Sequence, residues 1–174
     1  MILGLDISTS ITGVTVLNKE EKILYCEGWD LRKYKNFFKK TKEVQRRLRE
    51  LKTQYRNIEH VFIEQSLQSF RPGFSSAKTL LTLARFNGIV SWLVFEMLHI
   101  QPEYIGASTA RKKCGIKVPR GEKAKKVVLQ YLLDNEDSFD IKYTRYGNPT
   151  PESYDRADSI IIAKAGYHLC KKKN

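Results

Sequence analysis

Two short apolar runs in this chain each stop on a carboxylate, ILGLD at residues 2–6 and VFIE at residues 61–64. Runs of this length and apolar content read as buried strands. Acidic residues are depleted from strands and are almost never fully buried without a partner. A fold that contains both runs must therefore supply something for Asp6 and Glu64 to bind or oppose.

The rest of the chain indicates how such strands are arranged. Ile2 to Asp6, Gly13 to Asn18 and Ile23 to Trp29 are separated by STSIT and KEEK, the pattern of an antiparallel meander. From Leu31 the period lengthens. Phe37, Val44, Leu48, Leu51 and Tyr55 recur at helical spacing, and lysines and arginines cover the remaining positions, which predicts an amphipathic helix with a cationic outer face. A second helix, apolar on more than one face, runs from Ala77 to Met97, and Pro102 to Gly106 forms a weak short strand. The segment STARKKCGIKVPRGEKAKK reads as a basic loop, followed by a helix from about Glu122 to Leu133 and a last one from Tyr154 to about Leu169. The order predicts a single domain over residues 1–174, of α/β class, around a mixed sheet.

The last helix opens ESYDRADSIIIAKAG. Asp155 and Asp158 are three residues apart and share one helix face, which Ile162 and Ala165 continue into the core. Two aspartates so placed repel unless a cation lies between them or the positive end of the helix dipole is close, and taken alone the pair leaves both readings open. If the strands of Asp6 and Glu64 are neighbours and this helix starts against them, four carboxylates converge. Such an all-oxygen set suits magnesium or manganese, whereas zinc favours histidine or cysteine.

Charge supplies the partner class. Lysine and arginine number 31 against 19 aspartates and glutamates, a formal net charge of +12, and that field favours a polyanion such as nucleic acid. Cys26, Cys114 and Cys170 are far apart and lack zinc-site spacing, so they read as free thiols of a reducing compartment. Met1 leads directly into an apolar run without the layout of a signal peptide, and the apolar stretch near Ile89 to Ile100 is broken by Ser91, Glu96 and His99. A cytoplasmic protein of a bacterial or phage-infected cell, with no membrane partner, is the expectation.

GLDIS, FIEQ and DRADSIIIAKA, taken in order, resemble the motifs of the RuvC-like Holliday junction resolvases, here in a phage or viral branch, within the ribonuclease H-like nuclease superfamily. SAKTLLTLARFNGIV is similar to the segment that follows the family's glutamate, and GEKAKKVVLQYLL to its later lysine-bearing helix. The resemblance spans nearly the whole chain. It implies a ribonuclease H-like fold, with a five-stranded sheet of three antiparallel strands followed by parallel ones, flanked by helices. It also implies a homodimeric endonuclease that cuts four-way junctions by paired nicks, with Asp6, Glu64, Asp155 and Asp158 holding two Mg2+ or Mn2+ ions. Lys123 matches the family's lysine beside the scissile phosphate, and Lys112 or Lys113 a second one. The family's aromatic after the glutamate is replaced by Leu67, so Phe70, Arg71 and Phe74 are the candidates for contact with the junction, together with Lys112, Lys113, Lys117 and Arg120. The helix from Ala77 to Met97 is the candidate dimer face, against burial within one subunit.

Other readings compete. GLDISTS also resembles the phosphate loop of the sugar kinase, actin and heat-shock chaperone class, but those proteins need two such domains, and no nucleotide cofactor is expected here. An RNA:DNA hybrid could replace the junction as substrate, or the chain could bind branched DNA without cutting it.

Overall fold

Alternation along two neighbouring strands sets the layers of this protein. The structure, a computed structural model, describes residues 1–65 and 76–172. Its elements are β1 (Ile2–Asp6), β2 (Ile11–Leu17), β3 (Ile23–Asp30), α1 (Phe37–Gln54), β4 (His60–Glu64), α2 (Ala77–Leu98), β5 (Glu103–Ile105), α3 (Ala107–Lys113), α4 (Ala124–Asn135) and α5 (Pro151–Lys171). The sheet order is β3-β2-β1-β4-β5. The β1–β2 and β2–β3 pairs are antiparallel, while β1–β4 and β4–β5 are parallel. This is the mixed five-stranded arrangement of the ribonuclease H-like fold.

Leu3 and Leu5 of β1, with Val61 and Ile63 of β4, face a core completed by Val44 and Leu48 of α1 and by Phe86, Val90 and Val94 of α2. Ile2 and Phe62 face the opposite core, against Ile160 and Ile162 of α5 and Val128 and Leu132 of α4. Side chains alternate along a strand, so Asp6 and Glu64 fall on the α5 face with Ile2 and Phe62.

Glycine lets α5 come down onto that face. A Cβ on Gly13, the residue paired with Asp6, would lie 1.9 Å from the Asp155 carbonyl oxygen. One on Gly4 would lie 2.6 Å from the Ala163 Cβ. A buried hydrogen bond of 2.8 Å between the Thr15 and Ser159 hydroxyls fixes the register of helix on sheet.

Three elements differ from the sequence reading. The basic loop contains α3, whose seven residues bury only Ala110 and so give too short a periodic signal. Helix α4 begins at Ala124, with Lys123 as its N-cap. Helix α5 begins at Pro151, a residue that favours the first helical position. Asp155 and Asp158 therefore lie in its second and third turns, whereas the dipole effect falls off within the first. Helix N-terminal stabilisation does not account for the pair.

Helix α2 is long and apolar enough to cross a membrane by composition. One face of it enters the core through Phe86, Val90 and Val94, while Leu81, Trp92 and Phe95 remain 60, 59 and 44% exposed.

Candidate active site

Parallel pairing of β1 with β4 puts Leu5 opposite Ile63, so the next residues, Asp6 and Glu64, end adjacent strands side by side. Helix α5 then lays Asp155 over Gly13, across from Asp6. Asp6, Glu64 and Asp155 share a cavity of about 210 Å³ with Ser8, Asn87 and Lys125. Asp158 joins them through the Lys125 ammonium, which stands 3.6 Å from an Asp155 carboxylate oxygen and 3.3 Å from one of Asp158. All four acids of the sequence reading thus meet around one cleft.

Burial is the first cause that raises the pKa of each of these acids, and neighbouring carboxylates add to it for Asp6, Glu64 and Asp155. Burial, then the Glu64 and Asp158 charges, hold the Asp6 carboxyl well above the ordinary range. Burial and the Asp158 charge push Glu64 up to about 7, against the pull of Lys125 and Arg111. Burial also pushes Asp155 to about 6 and raises Asp158, with Lys125 opposing both shifts. Burial works against the Lys125 ammonium, yet Asp158, Asp6 and Asp155 outweigh it and raise its pKa. Lys125 is the cation in direct contact with the cluster, and Arg111 and Arg32 act on it electrostatically.

Among the described residues, no three Asp, Glu, His or Cys side chains stand close enough to cage an ion. The donor chemistry nevertheless fits a hard divalent cation, being all oxygen, and burial leaves these carboxylates with raised pKa values that a bound cation would lower. Lys125 reaches between two of the carboxylates, its ammonium 3.6 Å from Asp155 and 3.3 Å from Asp158.

Neighbouring groups brace the cleft. Asn87 of α2 donates from Nδ2 to the Glu64 carbonyl oxygen at 3.2 Å. The Ser91 hydroxyl donates to the Asn87 carbonyl oxygen at 2.7 Å. The serine and threonine cluster after β1 is closed on itself: the Thr12 hydroxyl donates to the Ser8 carbonyl at 2.9 Å, and the Ser8 N–H donates to the Thr12 hydroxyl oxygen at 3.3 Å. Lys40 ties the Thr9 carbonyl to α1. These bonds build the turn into β2.

The other expected site residues are distributed around the cleft. Lys123 is exposed at the start of α4, and the lysine on the carboxylates is Lys125. Lys112 and Lys113 lie on α3 and line a cavity of about 690 Å³ with Thr109, His168, Lys171 and Lys172. Lys112 and Lys117 border a second of about 300 Å³ with Arg111. Arg120 is exposed in the loop before α4. Phe70, Arg71 and Phe74, with Leu67, lie outside the described residues. His168 is not near the acids; it pairs with Glu21 at 3.4 Å.

Lys125, Arg111 and Asn87 were not singled out by the sequence reading. The phase of α4 carries the first, because Lys125 precedes the buried residues Val128, Leu129 and Leu132 at helical spacings of three, four and seven. Asn87 is a polar residue on the buried stripe of an apolar helix, which is itself a signal. For Arg111 the short helix gave none.

No protein-family profile matches this chain, and no curated protein sequence does. Solved structures do. Thermus thermophilus RuvC in complex with a Holliday junction substrate aligns at TM-score 0.69 and 16% identity, covering 98% of this chain and 94% of that one. A structure of Thermus thermophilus RuvC gives TM-score 0.64 at 17% identity, covering 99% of this chain and 96% of that one. The yeast mitochondrial Holliday junction resolvase Ydc2 gives 0.59 at 16%, covering 99% and 84%. At such identities the likeness establishes a shared fold over nearly the entire chain.

Proposed function

We propose that this protein is a divalent-metal-dependent endonuclease that resolves four-way DNA junctions by paired nicks, acting as a homodimer. The observation that carries the reading is the meeting of Asp6, Glu64, Asp155 and Asp158, from two strands and one helix, in a single cleft of a strongly basic chain. Chains whose fold it shares act on or are bound to Holliday junctions by their descriptions, and the segments GLDIS, FIEQ and DRADS that carry the four acids resemble motifs of the RuvC-like resolvases.

Asp6, Glu64, Asp155 and Asp158 are the groups that would hold two magnesium or manganese ions. Bound there, the ions would polarise the scissile phosphate and lower the pKa of the attacking water. The chain's own residues do the rest. Lys125 offsets carboxylate repulsion and offers an ammonium to the phosphate once cations take over that task. Arg111, close enough to Glu64 and Asp158 to lower both their pKa values, adds positive charge on the β5 side. Arg32 acts on Asp155 from the opposite flank. Asn87 holds the end of β4 so that Glu64 keeps its aim.

The exposed stripe of Leu81, Trp92 and Phe95 on α2, with open space at Gly88, is the proposed dimer face. A two-fold pair of subunits presents two cutting sites to a symmetric junction.

The test is cleavage of labelled four-way junction, linear duplex and RNA:DNA hybrid, with magnesium, manganese or EDTA, by wild type and Asp6→Asn. Paired nicks on the junction, lost with EDTA and absent from a variant that still binds, are the expected result. Equal cutting of linear duplex sinks the junction assignment, and unchanged cutting by Asp6→Asn sinks the site.

A further inference from the structure

Just before α5 the chain makes a small closed turn that none of the site chemistry above uses. Tyr143 and Pro149 form a β-bridge, the Thr144 N–H donates to the Asn148 carbonyl at 2.7 Å, and Gly147 takes a positive φ of 75° to close the end. The base is fastened to α5. The Thr150 N–H donates to the Lys142 carbonyl at 2.9 Å, and the Ser153 hydroxyl reaches the same oxygen at 3.4 Å. On the preceding side Arg156 grips Asp140, through a carboxylate oxygen and the carbonyl, both at 3.1 Å, with Phe139 against its guanidinium. The fastening residues Ser153 and Arg156 bracket Asp155.

This braced turn displays two aromatic rings to solvent. Tyr143 is 60% exposed and Tyr146 73%. The Arg145 guanidinium lies 4.6 Å from the centre of the Tyr146 ring and donates to its hydroxyl, which widens the flat surface and makes it cationic. Between Asp140 and Glu152 the chain carries Lys142 and Arg145 and no acid. Flat rings edged with positive charge suit the faces of nucleic-acid bases, with phosphates beside them. An aliphatic protein partner would call for aliphatic side chains, and an acidic one would leave the rings unused.

Position argues the same way. Asp155 lies five residues beyond the N-cap Thr150, about 7 to 8 Å along the helix axis. A nucleic-acid strand advances ~3.4 Å per nucleotide, so the base of the turn lies within a few nucleotides' reach of a phosphate at the carboxylates.

We infer that the turn carrying Tyr143, Arg145 and Tyr146 is a base-stacking contact for unpaired or unstacked DNA bases flanking the cut site. The inference rests on the nuclease reading for its substrate and adds a recognition element to it. Because the backbone bonds hold the turn without help from the rings, ordering adds little to the free energy of binding, and the rings are free to stack.

The experiment uses the full chain with Asp6→Asn, which prevents cutting, and a four-way junction carrying 2-aminopurine beside the crossover. Stacking is worth ~1–3 kcal/mol per base, so the double variant Tyr143→Ala/Tyr146→Ala should bind at least tenfold more weakly and lose the 2-aminopurine fluorescence change. Its salt dependence should keep the wild-type slope, since no phosphate contact is removed. The double variant Tyr143→Phe/Tyr146→Phe, which keeps both rings, should stay within about twofold of wild type. Unchanged affinity and fluorescence in the alanine pair overturn the inference, as does an equal loss in the phenylalanine pair. Self-association that depends on the rings while fluorescence does not change assigns the turn to a protein contact and also overturns it. A short single-stranded 2-aminopurine oligonucleotide separates the two readings. Ring-dependent stacking on it by a wild-type protein that cuts no junction removes the nuclease reading and keeps this one. Junction cutting without any ring dependence on either probe does the reverse.

Discussion

Two glutamates on opposite sides of the sheet show what buried charge does in this chain. Glu43 of α1 is 7% exposed, and Arg46 and Arg47 approach it at 2.7 and 3.0 Å. The hydrogen bond from Arg46, with help from Arg47, outweighs burial and holds its pKa down at about 2. Glu64, at the end of β4, is likewise largely hidden, but its closest charged neighbours include other acids, and its pKa stands near 7. The first carboxylate is satisfied by its own helix. The second is held by the fold beside other acids, with its pKa raised first by burial and then by the Asp158 charge, and an added cation would relieve both. Burial of an acid alone therefore does not mark a site; burial with the compensating charge left out does.

Substituting the two residues should break the comparison most sharply. Glu64→Gln should reduce junction cutting by ~10²-fold or more, the scale for losing a group that organises transition-state charge, while Glu43→Gln leaves cutting largely intact. In EDTA, thermal melts should show the opposite pattern. A raised folded pKa means that stability is present at low pH and is lost as pH climbs from the unfolded value toward about 7, so Glu64→Gln should stabilise the protein at pH 8 and do nothing at pH 4. A lowered folded pKa means that stability is present above the unfolded value and is lost as pH falls toward about 2, so Glu43→Gln should destabilise at pH 7, by up to about 3 kcal/mol, or several degrees in Tm. Manganese should raise the Tm of wild type at pH 8 and not that of Glu64→Gln. A Glu64→Gln protein that melts lower at pH 8 in EDTA contradicts the account of the cleft.

Much of this geometry was legible before the structure. The strands that end on Asp6 and Glu64 follow from apolar runs and the last helix from its period, while their meeting was a condition that the family resemblance implied and the parallel β1–β4 pairing meets. What pattern could not supply was local placement. Helix α3 escaped because seven residues with one buried alanine carry no period. Motif position points to Lys123, whereas the residue at helical spacings of three, four and seven from the buried Val128, Leu129 and Leu132 is Lys125. The dipole account of Asp155 and Asp158 stayed open because nothing but Pro151 marked where α5 begins. Helix phase and helix start are settled by packing, and that is where sequence reasoning gave way.

The lysines sharpen the comparison at a smaller scale, since Lys125 is the cation that touches the cleft acids as Arg46 and Arg47 touch Glu43. Lys125→Ala should lower cutting about tenfold to a hundredfold and Lys123→Ala less than threefold, measured on the same junction at saturating magnesium. Equal losses at the two positions would place the useful ammonium on a loop that reorients with DNA, instead of on the buried phase of α4.

The smallest effect belongs to Asn87, which touches the Glu64 backbone and not its carboxylate. Loss of one such hydrogen bond is worth about 1 kcal/mol, so Asn87→Ala should lower Tm by a few degrees at every pH from 4 to 8, without the pH signature of Glu64→Gln. Because β4 is also held by pairing with β1 and β5, Glu64 should keep most of its aim, and the cutting rate should fall by less than tenfold. A loss as deep as that of Glu64→Gln would mean that α2, through this one amide, sets the geometry of the acid cluster, and that the two faces of the sheet are coupled where the comparison of Glu43 with Glu64 treats them as separate.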